Sequence, residues 1–163
     1  MNKQDNIFAE ATQAIGDFNF GKQTAEVFDD MLDRSVPLYQ ELQRMLGEIA
    51  AEFAESGSNV YDLGCSTGIT LETLRGAITA AGKQVHMVGL DYSQPMLDRA
   101  GDRFAGLPDD ERPQLVHADL NQGCVVENAS VVVLNLTLQF VRPLYRNRLI
   151  HRIADGLNEN GCL

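Results

Sequence analysis

Apolar residues change their spacing near residue 58, and the change divides the chain. Before it, Val27, Phe28, Met31 and Leu32 recur at helical spacing, and Leu38, Leu42, Met45, Leu46, Ile49 and Phe53 form a second stripe at three- and four-residue steps. Such steps put side chains on one face of a helix. "RSVP" (34–37) separates the two helices and "ESGSN" ends the second. Beyond it, short apolar runs alternate with helical stretches. Residues 60–63 read as a buried strand, 69–81 as a helix closed by Gly82, and 85–90 as a second strand. Ser93 is placed to cap the next helix, with Pro95 in its first turn and Leu97, Ala100 and Phe104 facing inward. Residues 114–118 make a third strand and 130–136 a fourth, and Pro143 starts a last helix with Leu149, Ile150, Ile153 and Leu157 inward. Residues 1–22, with Phe8, Ile15, Phe18 and Phe20 among polar neighbours, read as an irregular arm.

Strand–helix alternation with near-continuous Val/Leu strands predicts an α/β fold, Rossmann-like, with a parallel sheet covered on both faces. Right-handed crossovers then leave few topologies; the expected strand order is 3-2-1-4. "GCL" at the end looks like the opening of a fifth strand that does not arrive, so later strands are expected to be missing. An apolar edge left unpaired on strand four would be an association hazard. The chain is therefore expected to be a domain truncated at its C-terminus, or one whose edge a partner covers. Two parts are expected: an arm and cap helices over 1–57, and an incomplete core over 58–163.

The chain has 163 residues and a net charge of −10. So acidic a chain repels the phosphate backbone, which argues against direct nucleic-acid binding. The apolar stretch "NASVVVLNLTLQFV" is too short to span a bilayer, and "MNKQDNIFAEATQ" has no signal-peptide core, so no membrane association is expected. Cys65, Cys124 and Cys162 stand at wide spacings that suit reduced thiols better than disulfides or zinc. The expectation is a cytoplasmic protein without a metal.

Chemistry concentrates in "VYDLGCSTG" (60–68), an apolar strand end followed by an acid and two glycines. Gly64 permits unusual dihedrals and close approach of a ligand to the main chain, and Gly68 is expected to let the next helix pack on strand one. The unpaired N–H groups of that helix suit an electron-rich ligand. A phosphate-binding loop would need a Lys-Ser/Thr pair, which is absent, and Ser66 stands where a dinucleotide fingerprint has its middle glycine. Asp91 ends strand two, where an acid can accept both hydroxyls of a ribose. Asp119 ends strand three, near where an adenine amine would then lie, and Asn135 ends strand four. In the order 3-2-1-4 the winding reverses between strands one and four, so a crevice opens between Gly64 and Asn135.

The set YDLGCSTG, GLDYSQPML, HADL and VVLNLTLQF resembles the S-adenosyl-L-methionine (SAM)-binding core of class I methyltransferase-fold proteins. "AEVFDDMLDRSVPLYQ" (25–40), "VYDLGCSTG" and "ENASVVVLNLTLQFV" (127–141) narrow the likeness to the carboxy-S-adenosyl-L-methionine synthase family. The resemblance implies conversion of SAM and prephenate to carboxy-SAM and phenylpyruvate, carboxy-SAM being the donor for wobble-uridine carboxymethylation of tRNA. A homodimer is the assembly considered, and the sequence leaves it open. The resemblance places Tyr39 and the turn Gly64, Cys65 and Ser66 at the methionine part, and Asp91 with Tyr92 at the ribose. Asp119 with Leu120 would hold the adenine, and Asn135 the sulfonium end. Tyr92 either stacks on adenine or packs outward. The family's C-terminal arginine, which contacts the new carboxylate, has no counterpart here. No catalytic residue is assigned.

Other residues receive plainer readings. His86, His117 and His151 have no metal or triad spacing, and Cys65 is read as a backbone-turn residue. Arg34 is a candidate for a prephenate carboxylate or a solvated helix end. Arg142, Arg146, Arg148 and Arg152 form a basic cluster read as a surface or partner face. Two rival functions stay open: a generic SAM-dependent methyltransferase, and a truncated SAM-binding fragment without turnover.

Overall fold

The computed structural model describes residues 21–163, so the expected N-terminal arm lies outside the described residues except for its last two. Helices α1 (Lys22–Ser35) and α2 (Tyr39–Phe53) precede β1 (Asn59–Leu63), α3 (Ile69–Ala80), β2 (His86–Asp91) and α4 (Gln94–Phe104). Strands β3 (Gln114–His117) and β4 (Ala129–Val133), helix α5 (Pro143–Gly156) and β5 (Leu157–Cys162) follow. All neighbouring strands pair in parallel, in the order β3-β2-β1-β4-β5.

The two-residue period of a strand sorts the core. Val60, Met87, Val131 and Val133 face one layer, made by Ala50 and Ala54, by Leu71, Leu74 and Ile78 of α3, and by Leu97 and Phe104 of α4. Tyr61, Leu63, Val88, Leu90 and Val132 face the other, under the helix-free crossover between β3 and β4 and under Leu149 and Ile153 of α5. Ser93 caps α4 as expected, accepting from the Met96 amide at 3.4 Å. Helix α1 lies on α4 through Ala25, Phe28 and the fully buried Met96.

Four expectations need correction. A fifth strand is present: Leu157, expected on the last helix, pairs with Ala129 and starts β5, and Cys162 pairs with Val131. Residues 158–161 bulge between these two points, and this polar segment covers the edge of β4 that was expected to be bare. Strand four stops at Val133, so Asn135 sits in the following turn rather than on the strand. The buried face of α2 is Tyr39, Gln43, Gly47 and Ala50, whereas Met45, Ile49 and Phe53 are 47 %, 44 % and 43 % exposed. Small residues there let α2 approach α3, with a Cβ on Gly47 falling only 3.2 Å from that of Ala77. Gly68 serves a neighbour other than strand one: its φ is +83°, and a Cβ there would lie 2.9 Å from the Phe104 ring of α4.

Candidate functional site

The turn after β1 is built from backbone conformations that side chains resist. Gly64 has φ +88° and Ser66 φ +51°. The amides of Gly64 and Cys65 both donate to the Leu90 carbonyl, at 2.7 and 2.9 Å, which ties the turn to β2. A Cβ on Gly64 would collide with the side chain of Thr137, so the turn after β4 rests directly on this glycine. Gly89 of β2 is needed from below, since a Cβ there would lie 2.9 Å from the Cys65 sulfur.

Asp91 braces the same turn. Its carboxylate accepts from the Ser66 amide at 2.9 Å and from the Ser93 amide at 2.8 Å. Burial raises its pKa, and the hydrogen bonds from Ser93, Ser66 and Tyr92 partly oppose that rise. An ionised carboxylate offers about four acceptor directions and three are taken by these amides, so one remains for a ligand hydroxyl. Asp62 lies deeper. Burial, followed by repulsion from Asp91, pushes its pKa up to about 7, and its Oδ2 has no hydrogen-bond partner among the described residues. The Cys65 thiol is also pushed far up, by burial and then by Asp62 and Asp91, so this sulfur is not an activated nucleophile.

The other walls come from four further segments. Tyr39 opens α2 at 5 % exposure, and burial raises its phenol to about 12, which keeps the O–H as a donor. Phe28, Met31 and Leu32 of α1 form an apolar wall. Helix α1 is fastened by Asp29, which accepts from Thr67 Oγ1 at 2.5 Å and from Arg103 Nη2 at 2.6 Å. After β3, Asp119 and Leu120 line the cavity beside Tyr92. Burial tends to raise the Asp119 carboxyl, but hydrogen bonds from Asn121 and Gln122 and the nearby Arg142 outweigh it and hold the pKa low. Residues 135–142 close the last side. Arg146 holds this loop by donating to the carbonyls of Val141 and Gln139 at 2.8 and 3.2 Å.

These segments enclose one cavity of about 940 Å³. Tyr39, Gly64, Cys65, Ser66, Asp91, Tyr92, Asp119, Leu120 and Asn135 all line it. Asp62 does not. Arg34 does not either; it pairs with Asp30 at 3.2 Å on α1. Arg142, read from sequence as part of a surface cluster, is the cation among the lining residues. Asn121 and the α1 wall were also missed. Their signal was present in "ADLN" and in the Phe28–Leu32 spacing, but helical spacing alone does not say which surface a helix covers. The acids favour a cationic ligand, and the apolar wall favours one with a carbon-rich body. Among the described residues no cluster of His, Cys, Asp or Glu is arranged to hold a metal ion, and no helix is long and apolar enough to cross a membrane.

A family profile described as "Methyltransferase domain" matches residues 60–161. A carboxy-S-adenosyl-L-methionine synthase of Methylococcus capsulatus is 51 % identical over 98 % of this chain and 65 % of its own length. One of Aeromonas hydrophila is 44 % identical over 100 % of this chain and 64 % of its own length. The chain thus spans slightly less than two-thirds of these curated relatives. Among solved structures, an S-adenosylmethionine-dependent methyltransferase of Clostridium acetobutylicum superposes with a TM-score of 0.62 at 21 % identity, covering 85 % of this chain and 54 % of that one. The CcbJ methyltransferase of Streptomyces caelestis gives 0.62 at 22 %, covering 87 % and 54 %. These likenesses establish a Rossmann-like class I methyltransferase fold.

Proposed function

From the premise that this chain belongs to the methyltransferase-domain family, we propose that it takes SAM into the cavity and, with prephenate, makes carboxy-SAM. One observation carries the reading: nine residues chosen for a sulfonium nucleoside, from separate stretches of sequence, line a single cavity. The names of the relatives in Methylococcus and Aeromonas support the reaction over simple methyl transfer.

The residues have distinct tasks. Asp91 with Tyr92 receives the ribose, Asp91 through its one remaining acceptor direction, and Asp119 with Leu120 receives the adenine. Tyr39, the 64–66 turn and Asn135 hold the methionine and sulfonium end. The fit is tight at Gly64, where a side chain would meet Thr137. In the implied chemistry the sulfonium methyl gives up a proton, carbon dioxide released from prephenate as its ring aromatises joins that carbon, and the departing hydroxide leaves as water. No group on the protein has to exchange a proton for this balance. The protein aligns two molecules and excludes water. Arg142 is the cation available in the cavity for a prephenate carboxylate.

Helices α1 and α2 cap a nucleoside-binding core over 58–163. The reading includes a cytoplasmic homodimer that supplies carboxy-SAM for tRNA wobble-uridine modification and does not itself bind nucleic acid. Incubation of the purified chain with SAM and prephenate, followed by mass spectrometry of the acid extract, tests it. Carboxy-SAM with phenylpyruvate supports the synthase. S-adenosylhomocysteine as sole product favours a generic methyltransferase, and SAM bound without turnover favours a non-catalytic fragment.

A further inference from the structure

Asn121 joins two walls of the cavity that come from different parts of the chain. Its amide and its Nδ2 both donate to Asp119 Oδ1, at 2.9 and 2.8 Å. Its own Oδ1 accepts the Arg142 amide at 2.9 Å, and its carbonyl accepts from Arg148 Nη2 at 3.0 Å. Arg148 in turn lies over the Tyr145 ring, 5.0 Å from its centre. Asn121 therefore fixes the Asp119 carboxylate with two bonds and ties the 119–121 segment to the N-terminus of α5. It also lines the cavity itself.

From this network we infer that Asn121 is a positioning residue that makes Asp119 read the six-position of the purine, so that the cavity selects adenosyl over inosyl ligands. The inference rests on the reading of the cavity as a nucleoside site. With Asn121 and Gln122 as donors, Asp119 uses three of about four acceptor directions. One remains for an exocyclic amine. A carboxylate able to swing could turn away from a six-oxo base and lose little. A carboxylate held by Asn121 cannot, so an inosyl ligand sets a carbonyl oxygen against a fixed negative charge. A site built around one hydrogen bond rejects the analogue lacking it more strongly than a flexible site does.

The test is calorimetric titration of the 163-residue chain with S-adenosylhomocysteine and with S-inosylhomocysteine. It compares the parent with Asn121→Ala and Asn121→Asp. The aspartate keeps an acceptor for the Arg142 amide but offers Asp119 no side-chain donor, so it separates base reading from wall bridging. The parent is expected to prefer the adenosyl ligand by about tenfold or more, the worth of a charge-assisted hydrogen bond. Both variants are expected to lower that ratio by about fivefold or more, on the same basis. General loosening of the cavity would weaken both ligands alike and leave the ratio unchanged. A parent-like ratio in Asn121→Asp overturns the inference while the cavity reading stands, and this variant decides alone if the alanine one does not fold. A parent that binds neither ligand overturns both.

Discussion

Ser66 occupies a left-handed conformation usually left to glycine, and its amide is spent on Asp91 rather than on a ligand. Such a conformation costs a non-glycine residue roughly 1–2 kcal/mol and persists only where surrounding contacts enforce it. The enforcement comes from Asp91 and from the paired amides of Gly64 and Cys65 on the Leu90 carbonyl. The motif was legible as a sequence of residue types, but the second job of Asp91 was not, because it depends on where β2 ends relative to β1. Asp62 carries the clearest titration. Its folded pKa of about 7 stands above its ordinary 3.8, so the native state holds the proton longer than the unfolded chain does. Stability from this group is present in full below pH 3.8 and is lost as pH rises through 7. Asn at this position stays neutral throughout. The unfolding midpoint of Asp62→Asn minus that of the parent is therefore expected to grow by about 4 °C or more between roughly pH 5 and 8. A difference that stays flat by differential scanning fluorimetry would remove Asp62 as the origin.

Among the elements, α2 was the hardest to orient from its residues. Of its apolar stripe, Leu46 packs against the core but Leu38, Met45, Ile49 and Phe53 are exposed, and the buried row contains Gln43 and Gly47. A binary pattern counts those two as polar or neutral. Close contact with α3 rewards small size, and the Gln43 amide donates to Thr70 Oγ1 at 3.1 Å. Strand β5 was hidden for a related reason. "LNENGC" lacks alternation because it is an edge strand with a bulge, held to β4 at two register points. The strands β1, β2 and β4, almost wholly buried, were legible because burial demands continuous apolar runs. Helix α1 shows how an element reaches the site indirectly. Arg103 bridges Asp29, Glu72 and the Thr67 carbonyl, so α1, α3 and α4 meet at one guanidinium. Asp29→Ala leaves Arg103 and Thr67 without that partner, at a cost of about 1–3 kcal/mol. Hydrogen exchange is expected to quicken over 22–35 while β1 and β4 stay protected, with weaker SAM uptake as the α1 wall loosens. Uniform quickening across the sheet would instead mean that Asp29 supports the whole fold.

For the molecule as a whole, one crevice and one charge balance set the expectations. The winding of the sheet reverses between β1 and β4, and the turns beyond Leu63, Asp91, His117 and Val133 all open on the same side. That convergence was legible in sequence because strand ends can be counted. The cover from α1 and the lining Arg142 were not, because they depend on how helices pack after the sheet is built. A net charge of −10 disfavours phosphate backbones. Bulk tRNA is accordingly expected to show no mobility shift with this chain at about 150 mM salt, a condition in which non-specific binding depends on cationic contacts. A saturable shift would contradict the proposal that the chain only supplies a donor molecule. The most direct measurement is titration with S-adenosylhomocysteine of the parent and of Asp91→Ala, each checked for native circular dichroism. The account predicts saturable binding to the parent and a loss of about tenfold or more in the variant. Equal affinity in the two proteins would contradict the assignment of this crevice to the adenosyl group.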